Sequence, residues 1–103
     1  MPSYYTDRLA AERLRACYDL APPRTRAYLE AEIEFVLRRT RPSMVVLELG
    51  CGDGRVLGRL LPSVHVAFGI DTSLASLRMA FEFMGNKPSL RLACMDAIYM
   101  GFS

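Results

Sequence analysis

The sequence has few of the residues that would hold a metal ion, a disulfide framework or a membrane anchor. It contains three widely spaced cysteines and no Cys-x-x-Cys pair. Such a set predicts neither a zinc site nor a disulfide framework, and it is typical of a reducing cytoplasm. No apolar run approaches the ~18 to 20 residues that span a bilayer, and the N-terminus lacks the pattern of a signal peptide. We therefore expect a cytoplasmic protein with no metal and no membrane segment.

A strong charge of either sign is also absent. The 103 residues include 13 basic and 11 acidic side chains, which gives a formal net charge of +2. Basic residues in the N-terminal part alternate with acids, which is typical of solvated helix faces and does not indicate a nucleic-acid surface. Hydrophobic residues make up 51% of the chain, so we expect a packed core in one small domain.

The N-terminal part of the chain has the periodicity of two amphipathic helices, over residues 5–20 and 24–39. In the first helix, a stripe that includes Leu9 and Leu14 is predicted to face the core. The opposite side, which includes Arg8, is predicted to face solvent. We therefore expect a helical segment in front of the rest of the fold.

Strand and helix patterns alternate after this segment. Strands are predicted at residues 44–49, 64–71 and 90–95, with crossover helices over residues 53–61 and 73–85. This alternation implies parallel strands joined by right-handed crossovers, and hence an α/β fold. The first strand is apolar on both faces, which predicts a central position with both faces buried.

The turn after the first strand is the most informative part of the sequence. Three glycines at alternate positions, Gly50, Gly52 and Gly54, follow the apolar strand, and the next strand ends at Asp71. Glycine permits a positive φ and lets a ligand approach the main chain with no Cβ in the way. An acid at the end of the second strand can accept hydrogen bonds from both hydroxyls of a ribose. Together these features predict a nucleoside site, because a turn without a ligand would need only one glycine.

The loop departs from the dinucleotide fingerprint Gly-x-Gly-x-x-Gly in two respects. Arg55 occupies the position of its third glycine. Glu48 lies two residues before the first glycine, where its charge would repel a pyrophosphate but favour an ammonium or sulfonium group. Both departures argue against the NAD(P)-binding half of a dehydrogenase, which is kept as an alternative.

Three segments resemble motifs of class I S-adenosylmethionine-dependent methyltransferases, in the order in which that family has them. Leu47–Gly54 (LELGCGDG) resembles the first motif, Gly69–Asp71 the second-strand motif, and Cys94–Ala97 the acidic turn after the third strand. The resemblance covers about residues 22–103. It implies a Rossmann-like three-layer half-domain, with a parallel sheet of strands in the order 3-2-1 and two N-terminal helices.

The resemblance implies S-adenosyl-L-methionine as the cofactor. Ten residues would bind it: Glu48, Gly50, Cys51, Gly52, Gly54, Asp71, Thr72, Asp96, Ala97 and Ile98. Asp71 would accept from the ribose hydroxyls and Asp96 from the adenine amino group, with Thr72 beside the ring. Glu48 would contact the ammonium group of the ligand. The catalytic residues are unknown, because in-line positioning of an electrophilic methyl group requires no general base from this segment.

Several of these residues also have a structural interpretation. Asp71 could serve only to favour the N-terminus of the next helix, and Asp96 could be a solvated turn residue. A nucleophilic Cys51 is disfavoured, because no acid–base partner lies near it in the sequence. Tyrosines of the N-terminal helices could either cap the ligand or pack these helices on the sheet: Tyr4, Tyr5, Tyr18 and Tyr28.

The resemblance also implies a division of the chain. Residues 1–43 would form the helical segment, and residues 44–103 an incomplete cofactor-binding half-domain, either a fragment or a free-standing half. The methyl acceptor is unidentified, and we expect no appreciable methyl transfer by this chain alone, because no acceptor wall is encoded. The unpaired edge of the first strand predicts a homo-oligomer formed through that edge. A non-catalytic assembly module is therefore a further alternative.

Overall fold

Four helices and three strands make up the part of the chain that the computed structural model describes, residues 4–96 and residue 98. The elements in chain order are α1 (Tyr4–Asp19), α2 (Pro23–Leu37), β1 (Val45–Leu49), α3 (Leu57–Leu60), β2 (Val66–Asp71), α4 (Leu74–Met84) and β3 (Leu90–Cys94). A short 3-10 turn, Leu61–Ser63, follows α3. The predicted succession of two helices and then alternating strands and helices is confirmed.

The three strands form one parallel sheet in the order β1-β2-β3. This is the predicted order 3-2-1 counted from the opposite edge, so the Rossmann-like half-domain is confirmed. Leu49 lies opposite Ile70, and Asp71 lies opposite Cys94. Because the strands are parallel, the loops that follow them meet at one edge of the sheet.

Helices α3 and α4 cover one side of the sheet and form the core with it. Leu57 and Ala67 are fully buried there. A Cβ added to Gly69 would overlap the Leu57 side chain and lie 2.8 Å from Sγ of Cys51. Glycine is needed at this position because the loop and α3 pack directly on the strand backbone.

The other side of β1 is apolar and exposed. The exposed fractions of Val45, Leu47 and Leu49 are 62%, 44% and 55%. The central position predicted from the apolar pattern is therefore wrong for the described residues, whereas the predicted strand order 3-2-1 correctly places β1 at one end of the sheet. An apolar pattern on both faces does not indicate which face a neighbouring element will cover.

Helix α1 packs on α4 with the side that was predicted to face solvent. Ala11 is buried, whereas Leu9 and Leu14 are about half exposed. Nη2 of Arg8 lies 3.0 Å from Oε2 of Glu82 on α4. The predicted orientation is wrong because polar contacts with α4 orient this helix, and apolar periodicity does not report such contacts.

The two crossover helices differ in how well they were predicted. Helix α3 begins at Leu57 and not at Asp53, because Gly54 has a φ of +86°, outside the helical region. The ends of α4 agree with the prediction. Ser73 caps its N-terminus through the side-chain hydroxyl, and Gly85 with a φ of +78° follows its last turn.

Within residues 4–96 and residue 98, no group of three or more His, Cys, Asp or Glu side chains is placed to hold a metal ion. None of the helices in this part combines the length and hydrophobicity needed to cross a bilayer. The three cysteines are free thiols.

Candidate functional site

A cavity of about 370 Å³ lies between α1, the loop after β1 and the end of β2. Its lining includes four carboxylates and one guanidinium: Asp7, Glu48, Asp53, Asp71 and Arg55. The excess of negative charge favours a ligand with a cationic group and disfavours a pyrophosphate. The cavity therefore lies where the glycine loop and the end of β2 meet, with more acidic than basic groups in its lining.

Two glycines expose the loop backbone in this cavity. Gly50 and Gly52 have φ values of +68° and +56°, which favour glycine, and an added Cβ at either position would meet no atom within 4 Å. The N–H of Cys51, between them, donates to the carbonyl of Ile70 at 3.0 Å. The loop is thus fixed to β2 while open space remains beside its glycines.

The third glycine of the loop faces the interior. A Cβ on Gly54 would lie 2.5 Å from Cε of Met84 and 3.3 Å from Cβ of Ala80, both on α4. Gly54 does not line the cavity. Its small size lets α4 pack against the loop, a requirement that glycine spacing in the sequence does not distinguish from ligand contact.

Two backbone amides hold the Asp71 carboxylate. The N–H of Gly52 donates to Oδ2 at 2.9 Å, and the N–H of Ser73 donates to Oδ1 at 2.8 Å. An ionised carboxylate has about four lone-pair positions, so each oxygen can still accept from a further donor. The carboxylate is therefore oriented at the cavity before any ligand arrives.

Glu48 places a carboxyl group with unused acceptor capacity in the same cavity. Its Oε1 is the one buried side-chain oxygen or nitrogen that has no hydrogen-bond partner in the described part of the chain. Burial raises the pKa of Glu48 from 4.5 to about 7; the Arg55 charge opposes this rise and the Asp71 charge adds to it. Burial of an unpaired carboxyl group is unfavourable, so this group is suited to accept from a ligand donor.

The side chain of Cys51 belongs to the core. It is buried, and its Sγ lies against Gly69 of β2. Burial raises the pKa of this thiol to about 12, and the charges of Glu48 and Asp71 act in the same direction. Since the thiolate is the nucleophilic form, the raised pKa argues against a catalytic cysteine, as the sequence does.

Among the predicted residues after β2 and β3, the three that the structure describes do not line the cavity: Thr72, Asp96 and Ile98. Thr72 is exposed, and its carbonyl accepts from the thiol of Cys94 at 3.5 Å. Oδ1 of Asp96 accepts from the N–H of Ile98 at 2.9 Å, as in a solvated turn, and Ala97 lies outside the described residues. The structure thus brings together five of the predicted residues around the cavity: Glu48, Gly50, Cys51, Gly52 and Asp71.

The contribution of Asp7 on α1 to the site was not predicted. Oδ2 of Asp7 accepts from the hydroxyl of Ser73 at 2.8 Å and from the N–H of Ala75 at 3.3 Å. Asp7 therefore stabilises the N-terminus of α4 together with the Ser73 cap. The sequence marks Asp7 only as an acid in the first turn of its own helix.

One of the four N-terminal tyrosines lies at the cavity. Tyr18 lines it, and the guanidinium of Arg55 lies 4.7 Å from the centroid of its ring. Tyr28 is 70% exposed. The side chains of Tyr4 and Tyr5 lie outside the described part of the structure.

No protein-family model and no curated protein sequence matches this chain. Solved structures do match. N-methyltransferase NodS from Bradyrhizobium japonicum WM9, in complex with S-adenosyl-L-homocysteine, matches 94% of this chain at 20% identity, with a TM-score of 0.72. A protein in complex with the Haloferax volcanii Trm112 methyltransferase activator matches 93% at 22% identity, with a TM-score of 0.70. A dimethyladenosine transferase from Plasmodium falciparum matches 70% at 25% identity, with a TM-score of 0.55.

These matches cover only part of the other proteins. The chain spans 51% of the NodS chain, 41% of the Haloferax volcanii chain and 27% of the Plasmodium falciparum chain. This chain contributes a parallel sheet of three strands, with the glycine loop after β1 and an acid at the end of β2. The chain therefore has the fold of the N-terminal half of the Rossmann-like domain of class I S-adenosylmethionine-dependent methyltransferases.

Proposed function

We propose that this chain binds S-adenosyl-L-methionine at the cavity between α1 and the glycine loop. The observation that carries the proposal is the Asp71 carboxylate, held by two backbone amides beside the open backbone of Gly50 and Gly52. The carboxyl group of Glu48, with its unpartnered oxygen, lines the same cavity. NodS, which has the same fold, is a methyltransferase in complex with S-adenosyl-L-homocysteine.

Each residue has a distinct task in this proposal. Asp71 accepts from the two ribose hydroxyls through the lone pairs that the amides of Gly52 and Ser73 leave free. Ionised Glu48 accepts from the ammonium group, and Gly50 lets the ligand approach the main chain. When bound, S-adenosyl-L-methionine supplies a methyl group that its sulfonium makes electrophilic. The chain itself contributes positioning and negative charge.

The adenine ring of the cofactor would lie beside the ends of β2 and β3. Asp71 lies opposite Cys94 in the sheet, so a nucleoside held by Asp71 would extend towards the turn after β3. We propose adenine contacts there for the residues that follow β2 and β3: Thr72, Asp96, Ala97 and Ile98. In this division residues 44–103 hold the cofactor, and α1, within residues 1–43, closes one wall of the cavity.

The methyl acceptor is not identified by these residues. NodS is an N-methyltransferase and the Plasmodium falciparum protein a dimethyladenosine transferase, so similar folds occur in proteins named for different reactions. Because the chain spans about half of these relatives or less, we propose methyl transfer only for a protein that contains the complete domain.

Titration calorimetry with S-adenosyl-L-homocysteine and with NAD tests the cofactor proposal. We expect saturable binding of S-adenosyl-L-homocysteine and no binding of NAD. Asp71→Ala should weaken the affinity roughly ten- to a hundredfold, the usual effect of removing hydrogen bonds to a charged group. Glu32→Gln, which alters an exposed carboxylate on α2, is the control and should retain the affinity. Preference for NAD would support the dehydrogenase alternative, and equal affinity of Asp71→Ala and the wild type would remove Asp71 from the site.

We also propose that the chain assembles through β1, a role that does not depend on the cofactor. The exposed side chains of Leu47 and Leu49 line a groove of about 470 Å³, to which α2 contributes Val36 and α3 contributes Leu60. An apolar strand at the end of a sheet can pair with another chain, most simply a second copy. The Haloferax volcanii relative is in complex with a protein activator, so a protein partner is compatible with this fold.

A further inference from the structure

A chain of hydrogen bonds joins α1 to the glycine loop. Oδ2 of Asp7 accepts from the hydroxyl of Ser73 at 2.8 Å, and the N–H of Ser73 donates to Oδ1 of Asp71 at 2.8 Å. Oδ2 of Asp71 then accepts from the N–H of Gly52 at 2.9 Å. All four residues line the same cavity. The carboxylates of Asp7 and Asp71 thereby connect α1, the start of α4 and the glycine loop.

Asp7 determines how Ser73 is held. The oxygen of the Ser73 hydroxyl accepts from the N–H of Ser76 at 3.1 Å, and its single proton is donated to Asp7. The same oxygen of Asp7 also accepts from the N–H of Ala75 at 3.3 Å. The residue whose backbone orients Asp71 is therefore fixed from α1 as well as from α4.

We propose that Asp7 is a positioning residue for the cofactor site, which acts through Ser73 on the orientation of Asp71. The inference rests on the proposed function, in which Asp71 holds the ribose. A carboxylate that is ordered before binding loses less freedom when the ligand arrives, so the affinity depends on the contact between Asp7 and Ser73.

Another contact between α1 and α4 provides a matched control. Arg8 pairs with Glu82 at 3.0 Å, and neither of these residues lines the cavity. Glu82→Ala removes that pair and leaves the hydrogen bonds of Asp7 in place. It therefore separates general packing of α1 on α4 from the specific path through Ser73.

Calorimetry measures the Kd of each variant for S-adenosyl-L-homocysteine. Circular dichroism first shows that the variant is folded. Asp7→Ala should raise the Kd about three- to tenfold, the loss expected for one hydrogen bond to a charged group. Asp7→Asn should stay within about twofold of the wild type, because a single amide oxygen can accept both bonds that Oδ2 of Asp7 accepts. Glu82→Ala should also stay within about twofold. A wild-type Kd for Asp7→Ala, or an equal loss for Glu82→Ala, would overturn the proposal.

Amide hydrogen exchange in the ligand-free protein tests the same path without the cofactor. Asp7→Ala should speed exchange of the Ser73 and Gly52 amides about tenfold, whereas Asp7→Asn should not. If Asp7→Ala does not fold, Ser73→Ala, which removes the connecting hydroxyl, should give the same acceleration at Gly52. If the wild type fails to bind S-adenosyl-L-homocysteine, the proposed function fails. Unchanged exchange in these variants would refute the role of Asp7 even where binding is observed.

Discussion

The side of the sheet under α3 and α4 and the open side of β1 are both apolar, but only the first forms a core. Leu57 and Ala67 are fully buried on the covered side, and Gly69 there has no room for a Cβ. Val45 and Leu47 on the open side are 62% and 44% exposed. The contrast teaches that alternation defines the two faces of β1, whereas the elements that pack on the strand decide which face is buried.

The same contrast explains where the chemistry lies. Glu48 lies opposite Gly69 in the sheet, so its carboxyl group is on the covered side of β1. Burial there raises its pKa to about 7. Leu47 and Leu49, its neighbours in sequence, point to the open side and remain exposed. A single strand thus presents a partly buried acid to the cavity and an apolar surface to solvent.

The largest expected effect compares one leucine from each side. Leu57→Ala should lower the free energy of unfolding by about 3 to 4 kcal/mol, because it leaves a cavity in a closely packed core. Leu47→Ala should lower it by less than about 1 kcal/mol, because that side chain is already 44% exposed. Urea denaturation at equal protein concentration measures both. Losses of similar size would show that the two sides of the sheet do not differ as described.

The second prediction separates the packing glycine from the exposed glycine of the loop. Gly54→Ala should destabilise the fold by about 2 to 3 kcal/mol, because the new Cβ would meet α4 and the φ is positive. Gly50→Ala meets no neighbouring atom, so only the backbone strain of about 1 kcal/mol is expected. Thermal unfolding shows which of the two variants loses more stability. A smaller loss for Gly54→Ala than for Gly50→Ala would contradict these roles.

The third prediction concerns the partly buried acid of β1. The raised pKa of Glu48 means that between pH 4.5 and about 7 the folded state keeps a proton that the unfolded state has lost. Stability should therefore fall as the pH rises through this range, by about 1 to 2 kcal/mol after allowance for solvent screening. Glu48→Gln should remove this part of the pH dependence. Urea unfolding at pH 5 and pH 8 measures this change in the free energy of unfolding. The control is Glu12→Gln, at an exposed carboxylate, which should keep the pH dependence of the wild type. An equal change between the two pH values for Glu48→Gln and the wild type would contradict the prediction.

The smallest effect on the folded monomer is expected on the open side of β1. Leu47→Lys should change the unfolding free energy by less than about 1 kcal/mol while dissociating any assembly formed through this strand. Sedimentation at tens of micromolar should give an oligomer for the wild type and a monomer for Leu47→Lys. Leu9→Lys, at a similarly exposed leucine of α1, should remain oligomeric. A wild-type monomer would refute assembly through β1.

The parts of the fold that depend on local signals were predictable. The glycine turn, the acid at the end of β2 and the Ser73 cap of α4 each follow from the preferences of a few adjacent residues. The central part of the candidate site was therefore predicted, including Asp71 beside Gly52.

The parts that depend on polar contacts between distant elements were not predictable. Helix α1 turns its charged side inward because Asp7 bonds to Ser73 and Arg8 pairs with Glu82. These partners are 66 and 74 residues apart, and apolar periodicity does not report such contacts. Likewise, α3 begins later than predicted because Gly54 has a positive φ, and the presence of a glycine does not by itself reveal which φ it adopts.

Nuclear magnetic resonance titration of the wild-type chain with S-adenosyl-L-homocysteine tests the central claim most directly. We expect saturable shifts of the amides of Gly50, Gly52 and Ser73, which surround the Asp71 carboxylate, with little change at Val45 on the open side of β1. Absence of saturable shifts, or shifts confined to the open side of β1, would contradict the claim that the glycine loop and Asp71 form the cofactor site.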